Sequence, residues 1–378
     1  MTRAHASAAR GLLLEGRSPL VVKVGSSLLI GKDGNPRRGW MSNLAGQLAR
    51  RPGPLVIVSS GAIALGRAAL GIEGRPASLA EAQAAAAVGQ IQLARTWADV
   101  WTEVDRKAAQ LLLTLDDLED RGRYLNARNT VETLLDRGVV PIVNENDTVA
   151  TGEIRFGDND RLGARVALLA GAELLLLLSD VDGLFDADPR RNPDARLIAD
   201  VPVVDAAIEA LAGTAETTGF GTGGMVSKIA AARIATAGGC PVLLANGSHD
   251  LPIRSYCDTG RGTCFHASTR PLARRKQWLR SLQHASGSLV LDNGAVEALA
   301  GGASLLAGGV VEVFGPFRRG DLIELRNSDS VLGHGLSGYD DAETRRIMGR
   351  RSSEFEAILG YAGRGPVVHR DDLVLYER

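Results

Sequence analysis

Two lysines and a glycine-rich stretch carry the first chemical signal in this sequence. Gly219-Phe220-Gly221-Thr222-Gly223-Gly224-Met225-Val226-Ser227-Lys228 runs directly into an apolar, alanine-rich segment, residues 229–237, predicted to be helical. Glycines are costly to order, so such a cluster needs a reason. A glycine loop opening a helix, with a lysine in the first turn, offers bare N–H groups and positive charge, which suits phosphate. A flexible surface connection fits the same letters. Lys23 lies near the end of the otherwise apolar run at residues 20–24, where a lysine is costly unless it meets an anion or snorkels past the sheet edge. Two lysines converging on one anion suit phosphoryl transfer, which depends on positioning and charge stabilisation.

Carboxylates form a second signal. Glu145, Asp147, Asp158 and Asp160 crowd one region and are interleaved with Asn144, Asn146 and Asn159. Mixed amides and carboxylates suit an amino group or a metal-bound phosphate, and a solvated acidic loop is the other reading. Asp180 and Asp182 follow the apolar run at 174–178 and either serve a nucleotide or its metal or shape a turn. Ser60-Gly61 precedes a helical segment and either binds an anionic group through backbone N–H groups or serves as an N-cap.

Several chemistries drop out. Gly219-x-Gly221-x-x-Gly224 has the letters of a dinucleotide fingerprint, but no apolar strand precedes it and no acid ends a following strand. The only Gly-Lys pair, Gly31-Lys32, is followed by Asp33, so no Walker motif exists. The six histidines are scattered without metal-ligand spacing, and no Ser–His–Asp arrangement can be argued.

The elements that must position these groups are short strands, apolar throughout, alternating with helices over residues 19–250. That pattern indicates an α/β fold with a parallel sheet covered on both faces. Ligands in such sheets sit beyond the carboxyl ends of the strands. There the Lys23, Ser60, Asn144–Asp147 and Asp180 segments each follow a strand. The alanine-rich segment 78–100 is apolar on more than one side, so it is core or a subunit interface, and a homo-oligomer is expected. The first 18 residues read as a loose extension. Residues 251–285 hold seven Lys/Arg against one acid and read as a basic linker or docking segment. Residues 286–366 read as a small β-rich domain and 367–378 as a C-terminal tail.

With 378 residues, 45% hydrophobic and 23% charged, and a net charge of −1, the composition is that of an ordinary globular protein. Cys240, Cys257 and Cys264 match neither a disulfide framework nor a zinc pattern and read as reduced thiols in a cytoplasmic protein. No apolar run is long enough to span a membrane.

In order, Val22-Lys23-Val24-Gly25-Ser26, Val58-Ser59-Ser60-Gly61-Ala62, Asn144-Glu145-Asn146-Asp147, Gly157-Asp158-Asn159-Asp160, Ser179-Asp180 and Gly221-Thr222-Gly223-Gly224-Met225-x-Ser227-Lys228 resemble the motifs of the glutamate 5-kinases, members of the amino acid kinase family with a C-terminal PUA domain, a small β-barrel. The resemblance spans nearly the whole chain from residue 19. It implies the amino acid kinase fold and ATP-dependent phosphorylation of the side-chain carboxylate of L-glutamate to L-glutamyl 5-phosphate, the first step of proline biosynthesis, with Mg²⁺. It implies that Lys23 and Lys228 hold the transferring phosphoryl group while Asp160 orients them. Ser60, Asp147 and Asn159 would hold glutamate. The ATP site would be lined by Lys23, Ser179, Asp180, Thr222, Gly223, Gly224, Met225, Val226, Ser227 and Lys228. Feedback inhibition by proline and hand-over of the product to glutamyl-phosphate reductase are further implications. Ser179 stands where a threonine is common, which keeps the hydroxyl. Two alternatives stay open: a related kinase acting on acetylglutamate or carbamate, and an RNA-binding protein working through the C-terminal domain. Against the latter, residues 286–378 carry ten Arg and fourteen Asp/Glu, a balance of −4, poorly suited to a polyanion.

Overall fold

The computed structural model describes residues 2–149, 158–212, 224–267 and 285–376, apart from Arg75, Arg190, Asp329, Ala362 and Arg364. The chain divides into two compact units, Met1–Leu118 with Arg128–Thr269, and Glu119–Ala127 with Arg270–Arg378.

In the first unit, the strands are β1 (Leu20–Val24), β2 (Leu55–Ser59), β3 (Ala108–Leu113), β4 (Val140–Glu145), β5 (Leu174–Ser179), β6 (Leu184–Phe185), β7 (Leu197–Ile198), β8 (Asp200–Val201), β9 (Val242–Asn246) and β10 (Gly262–Phe265). Strands β6 and β7 form a separate ribbon, and the rest make one sheet in the order β3-β4-β2-β1-β5-β9-β10-β8. Every residue of β1, β2 and β5 is buried, as expected for strands covered on both faces. The ladder is parallel except where β10 runs antiparallel to β9. From β1 the chain moves to β2 on one side and later returns to β5 on the other, so the strand order reverses at β1. A crevice for ligands opens at such a reversal.

Two helices beside the sheet meet backbone to backbone. A methyl group at Gly66, in Ala62–Leu70, would stand 1.7 Å from the Ala85 carbonyl oxygen, and one at Gly89, in Leu79–Thr102, 1.9 Å from that of Ala62. Only glycine permits this crossing. Ser78 caps the longer helix by accepting the Glu81 N–H at 3.1 Å, a typical N-cap contact.

Three segments differ from the sequence expectation. The first residues form a helix, Thr2–Glu15, with Ala9 and Leu13 buried. Arg51, itself buried, pairs with Glu173 and donates to the Leu12 and Ser18 carbonyls, so it holds the helix's carboxyl end. A cation there also meets the negative end of the helix dipole. The start of the presumed basic linker is built into the fold: Pro252–Thr259 is helical and β10 joins the sheet. Its Lys/Arg content hid the i, i+3 helical spacing that buries Ile253 and Tyr256. Residues 268–284 lie outside the described residues.

The second unit holds a five-stranded sheet, β11 (Gly287–Leu291), β12 (Val310–Phe314), β13 (Leu322–Arg326), β14 (Val331–Leu336) and β15 (Leu373–Leu375), in the order β12-β11-β13-β14-β15. Its core packs Leu289, Ile323, Leu325, Tyr339, Ile347 and Phe355. The buried Tyr339 hydroxyl donates to the Gly365 carbonyl at 3.0 Å. The segment expected as a tail supplies β15, which pairs with β14.

Candidate active site

Lys23 lies one residue before the end of β1, level with Val58 of β2 and Leu177 of β5. It is 5% exposed, so the sheet cannot release it to solvent by snorkelling. Its ammonium instead stands 2.5 Å from Asp160 Oδ1. Asp160 lies in the first turn of the Asp158–Leu169 helix, which crosses the face of β1. Gly163 on that helix leaves room for the lysine stem: a methyl there would stand 3.4 Å from Lys23 Cβ and Cγ.

From the other side comes the Met225–Ala237 helix, with Gly224 at its N-cap. Its first turn brings Lys228 Nζ to 3.5 Å and Ser227 Oγ to 2.7 Å from Asp160 Oδ2. Asp160 is wholly buried and Lys228 nearly so. Burial pushes Asp160 up, but Lys23, Lys228 and the Ser227 hydroxyl together hold it below the ordinary carboxylate range. Burial pulls Lys228 down, the repulsion from Lys23 adds to this, and Asp160 and the nearby Asp180 oppose it. Two buried ammonium groups share one buried carboxylate, so the trio carries an excess positive charge. An anion entering this end of the sheet would offset it.

A second, uncharged network borders the trio. The Glu145 backbone N–H donates to Asn144 Oδ1 at 2.9 Å, which fixes that amide, and Asn144 Nδ2 donates to Gln90 Oε1 at 2.8 Å. Asn159 must then use its own Nδ2, which donates to Asn144 Oδ1 at 3.1 Å and to Ser60 Oγ at 3.0 Å. Asn159 Oδ1 is left buried with no donor among the described residues. Three residues beyond Asn144, Asp147 is 9% exposed. Burial raises its carboxyl to about 6, and no described residue pairs with it. Two idle acceptors at the carboxyl end of β4 suit a cationic donor such as an ammonium group. Nearby, Gly61 takes a left-handed conformation (φ 111°) as the N-cap of Ala62–Leu70, which turns the chain sharply after Ser60.

Both the trio and the amide network fit an enzyme that brings a phosphoryl donor to an amino acid, and sequence comparison agrees. Residues 18–246 match the amino acid kinase family model. This chain belongs to the amino acid kinase family, in its glutamate 5-kinase branch. The kinase is 51% identical over 361 residues to the glutamate 5-kinase of Paramagnetospirillum magneticum, covering 94% of this chain and 97% of that one. It is 50% identical over 367 residues to the glutamate 5-kinase of a Bradyrhizobium species, covering 96% and 97%. Residues 287–359 match the PUA domain model.

The remaining expected site residues divide into three groups. Ser179, buried at the end of β5, donates to Asp180 Oδ1 at 3.1 Å, and Asp180 is exposed. Gly224, Met225 and Val226 open the lysine-bearing helix, with Gly224 and Val226 exposed. Thr222 and Gly223, with the rest of the glycine loop, lie outside the described residues. Gln90 was not among the expected residues. Its one signal was a glutamine in an apolar, alanine-rich helix, which becomes informative only once its facing strand is known. After β5, Asp182 accepts from Asn246 at 2.7 Å and from Arg261 at 2.9 Å, a brace that fits the turn-shaping reading of this residue. The thiols are unsuited to nucleophilic work: burial pushes Cys240 up to about 12 and Cys264 to about 11.

Proposed function

We propose that this kinase phosphorylates the side-chain carboxylate of L-glutamate from ATP, giving L-glutamyl 5-phosphate, the first step of proline biosynthesis. The convergence of Lys23 and Lys228 on Asp160, bordered by the Asn144–Asn159–Ser60 network, carries this reading. A carboxylate is ionised and nucleophilic at neutral pH, so no general base is required. What the reaction needs is relief from repulsion between two anions. In this reading Lys23 and Lys228 supply positive charge to the transferring group from two sides, and Asp160 holds both in place. Ser179, Asp180 and the loop and helix start at Thr222–Lys228 line the ATP site. In the described part, Ser227 also locks Asp160.

Glutamate would place its ammonium against Asp147 and Asn159 Oδ1. Its α-carboxylate would sit at the start of the Ala62–Leu70 helix beside Ser60, where unpaired N–H groups and the helix dipole favour an anion. Among the described residues no group of three His, Cys, Asp or Glu stands together. Mg²⁺ would be held chiefly by phosphate oxygens and waters, its usual mode with nucleotides, with Asp180, whose charge acts on Lys228, close by. When bound, it supplies charge neutralisation on the phosphates.

The exposed apolar side chains on Leu79–Thr102, Val88 at 40% and Ile91 at 75%, favour a homo-oligomer through this helix. Among the described residues no helix is long and apolar enough to cross a membrane, and a cytoplasmic location is our reading. Feedback by proline and transfer of the labile product to glutamyl-phosphate reductase belong to the same reading. For the PUA unit we favour a structural or regulatory role over RNA binding. ADP release measured with glutamate, acetylglutamate, aspartate and carbamate tests the assignment. Turnover is expected with glutamate, and a preference for any of the other three would overturn it.

A further inference from the structure

We infer that Gln90, on the Leu79–Thr102 helix, is a positioning residue that sets the glutamate pocket to accept an amine. The inference rests on the assignment of that pocket to the substrate ammonium. An amide presents a donor at one end and an acceptor at the other, so the usefulness of Asn159 depends on which way it faces. Its orientation is inherited along a chain of contacts. Asn144 is 2% exposed and anchored at two points: its Oδ1 accepts the Glu145 backbone N–H, and its Nδ2 donates to Gln90 Oε1 at 2.8 Å. Thus fixed, Asn144 offers an oxygen to Asn159 and takes the Nδ2 of that residue at 3.1 Å. Ser60 Oγ takes the same group at 3.0 Å. Asn159 Oδ1 is thereby left as a buried acceptor without a donor among the described residues.

Gln90 itself does not belong to the strand ends that carry the other pocket residues. It reaches Asn144 because its neighbour Gly89 lets the long helix press against the Ala62 backbone. Removing the Gln90 acceptor leaves the Asn144 Nδ2 buried and unsatisfied, a loss that a rotation of the amide relieves only by breaking the Glu145 contact. Either response spoils the orientation of Asn159. Gln90 contacts neither lysine nor Asp160 in any described hydrogen bond, so the phosphate side should be untouched.

The test is steady-state kinetics on the full-length kinase with Gln90→Met, which keeps length but has no acceptor of comparable strength, and Gln90→Glu, which keeps an oxygen facing Asn144. Gln90→Met should raise the glutamate KM about tenfold, the scale of one unsatisfied buried polar group, while the ATP KM stays within about twofold. Its preference for glutamate over glutarate, which lacks the amine, should fall about fivefold or more. Gln90→Glu should leave the glutamate KM within about threefold of wild type. An unchanged glutamate KM and amine preference in Gln90→Met, or equal rises in the glutamate and ATP KM, would overturn the inference. If Gln90→Met is not recovered folded, Gln90→Glu decides alone, and a tenfold rise in its glutamate KM counts against the role. A wild-type enzyme that fails to turn over glutamate would instead sink the substrate assignment, a separate result.

Discussion

The two ends of the proposed active site, one assigned to phosphate and one to the substrate amine, solve opposite electrostatic problems. At the phosphate end, Lys23 and Lys228 are buried with one shared carboxylate, and positive charge is in excess. At the amine end, Asp147 and Asn159 Oδ1 are acceptors without partners among the described residues. One end suits an anion and the other a cation. In the reading proposed above, an ionised amino acid beside a nucleotide meets both needs. The contrast also separates two kinds of contribution. Charge acting on the transferring group should appear in kcat, while acceptors acting on the amine should appear in KM.

Lys228→Ala should break the first half of that contrast most sharply. We expect kcat to fall about 100- to 1,000-fold, as when one donor to a developing charge is removed, with the glutamate KM changed little. A loss of only a few-fold in steady-state turnover would remove Lys228 from the transition state. Asp147→Ala should act on the other half, raising the glutamate KM about tenfold to a hundredfold through loss of a charge-assisted contact. A shift in the ATP KM instead would show that the carboxylate serves the nucleotide.

The pH profile should sharpen the difference further. Burial places the Asp147 carboxyl at about 6 in the free enzyme, and only its ionised form attracts an ammonium. The glutamate KM should therefore fall as pH rises toward 6 and level off above it, with about a tenfold difference between pH 5 and pH 7. Stability should move the other way. Because the folded value lies above the unfolded one of 3.8, the native state binds the extra proton, and this group's contribution declines as pH rises from about 4 to about 6. Thermal melts of wild type minus Asp147→Asn across that range should display this slope, and in the glutamate KM the variant should lose the pH dependence. The smallest effect is expected from Gly89→Ala, whose methyl would meet the Ala62 carbonyl oxygen at 1.9 Å. Forcing the helices apart should cost about 1–3 kcal/mol of stability, and any kinetic effect should fall on the glutamate KM before kcat.

Much of the phosphate end was legible in the letters. A lysine in an apolar strand and a lysine behind glycines are anomalies visible without coordinates, because charge burial and glycine ordering are costly wherever they occur. Strand runs such as Leu174–Ser179 were equally plain, since a strand buried on both faces is apolar at every position. The N-terminal helix was less so. Its apolar side is short, and what secures it is Arg51, distant in sequence. The membership of β10 in the sheet was likewise masked by the arginines around it.

The amine end shows where local reading stops. The acids and amides at 144–160 marked a polar site from sequence alone, and the types of residue were enough to suggest an amino group or a phosphate. The division proposed between the two halves rests on tertiary structure. Asp160 and Asp147 are the same residue type thirteen positions apart, yet one is clasped by two lysines and held low while the other is buried and raised. The direction of Asn159 likewise depends on a glutamine from another helix. Burial cost follows from residue type and can be read in a line of sequence. The sign of a carboxylate's shift and the facing of an amide depend on which partners come within hydrogen-bond distance, and only the folded chain brings those partners together.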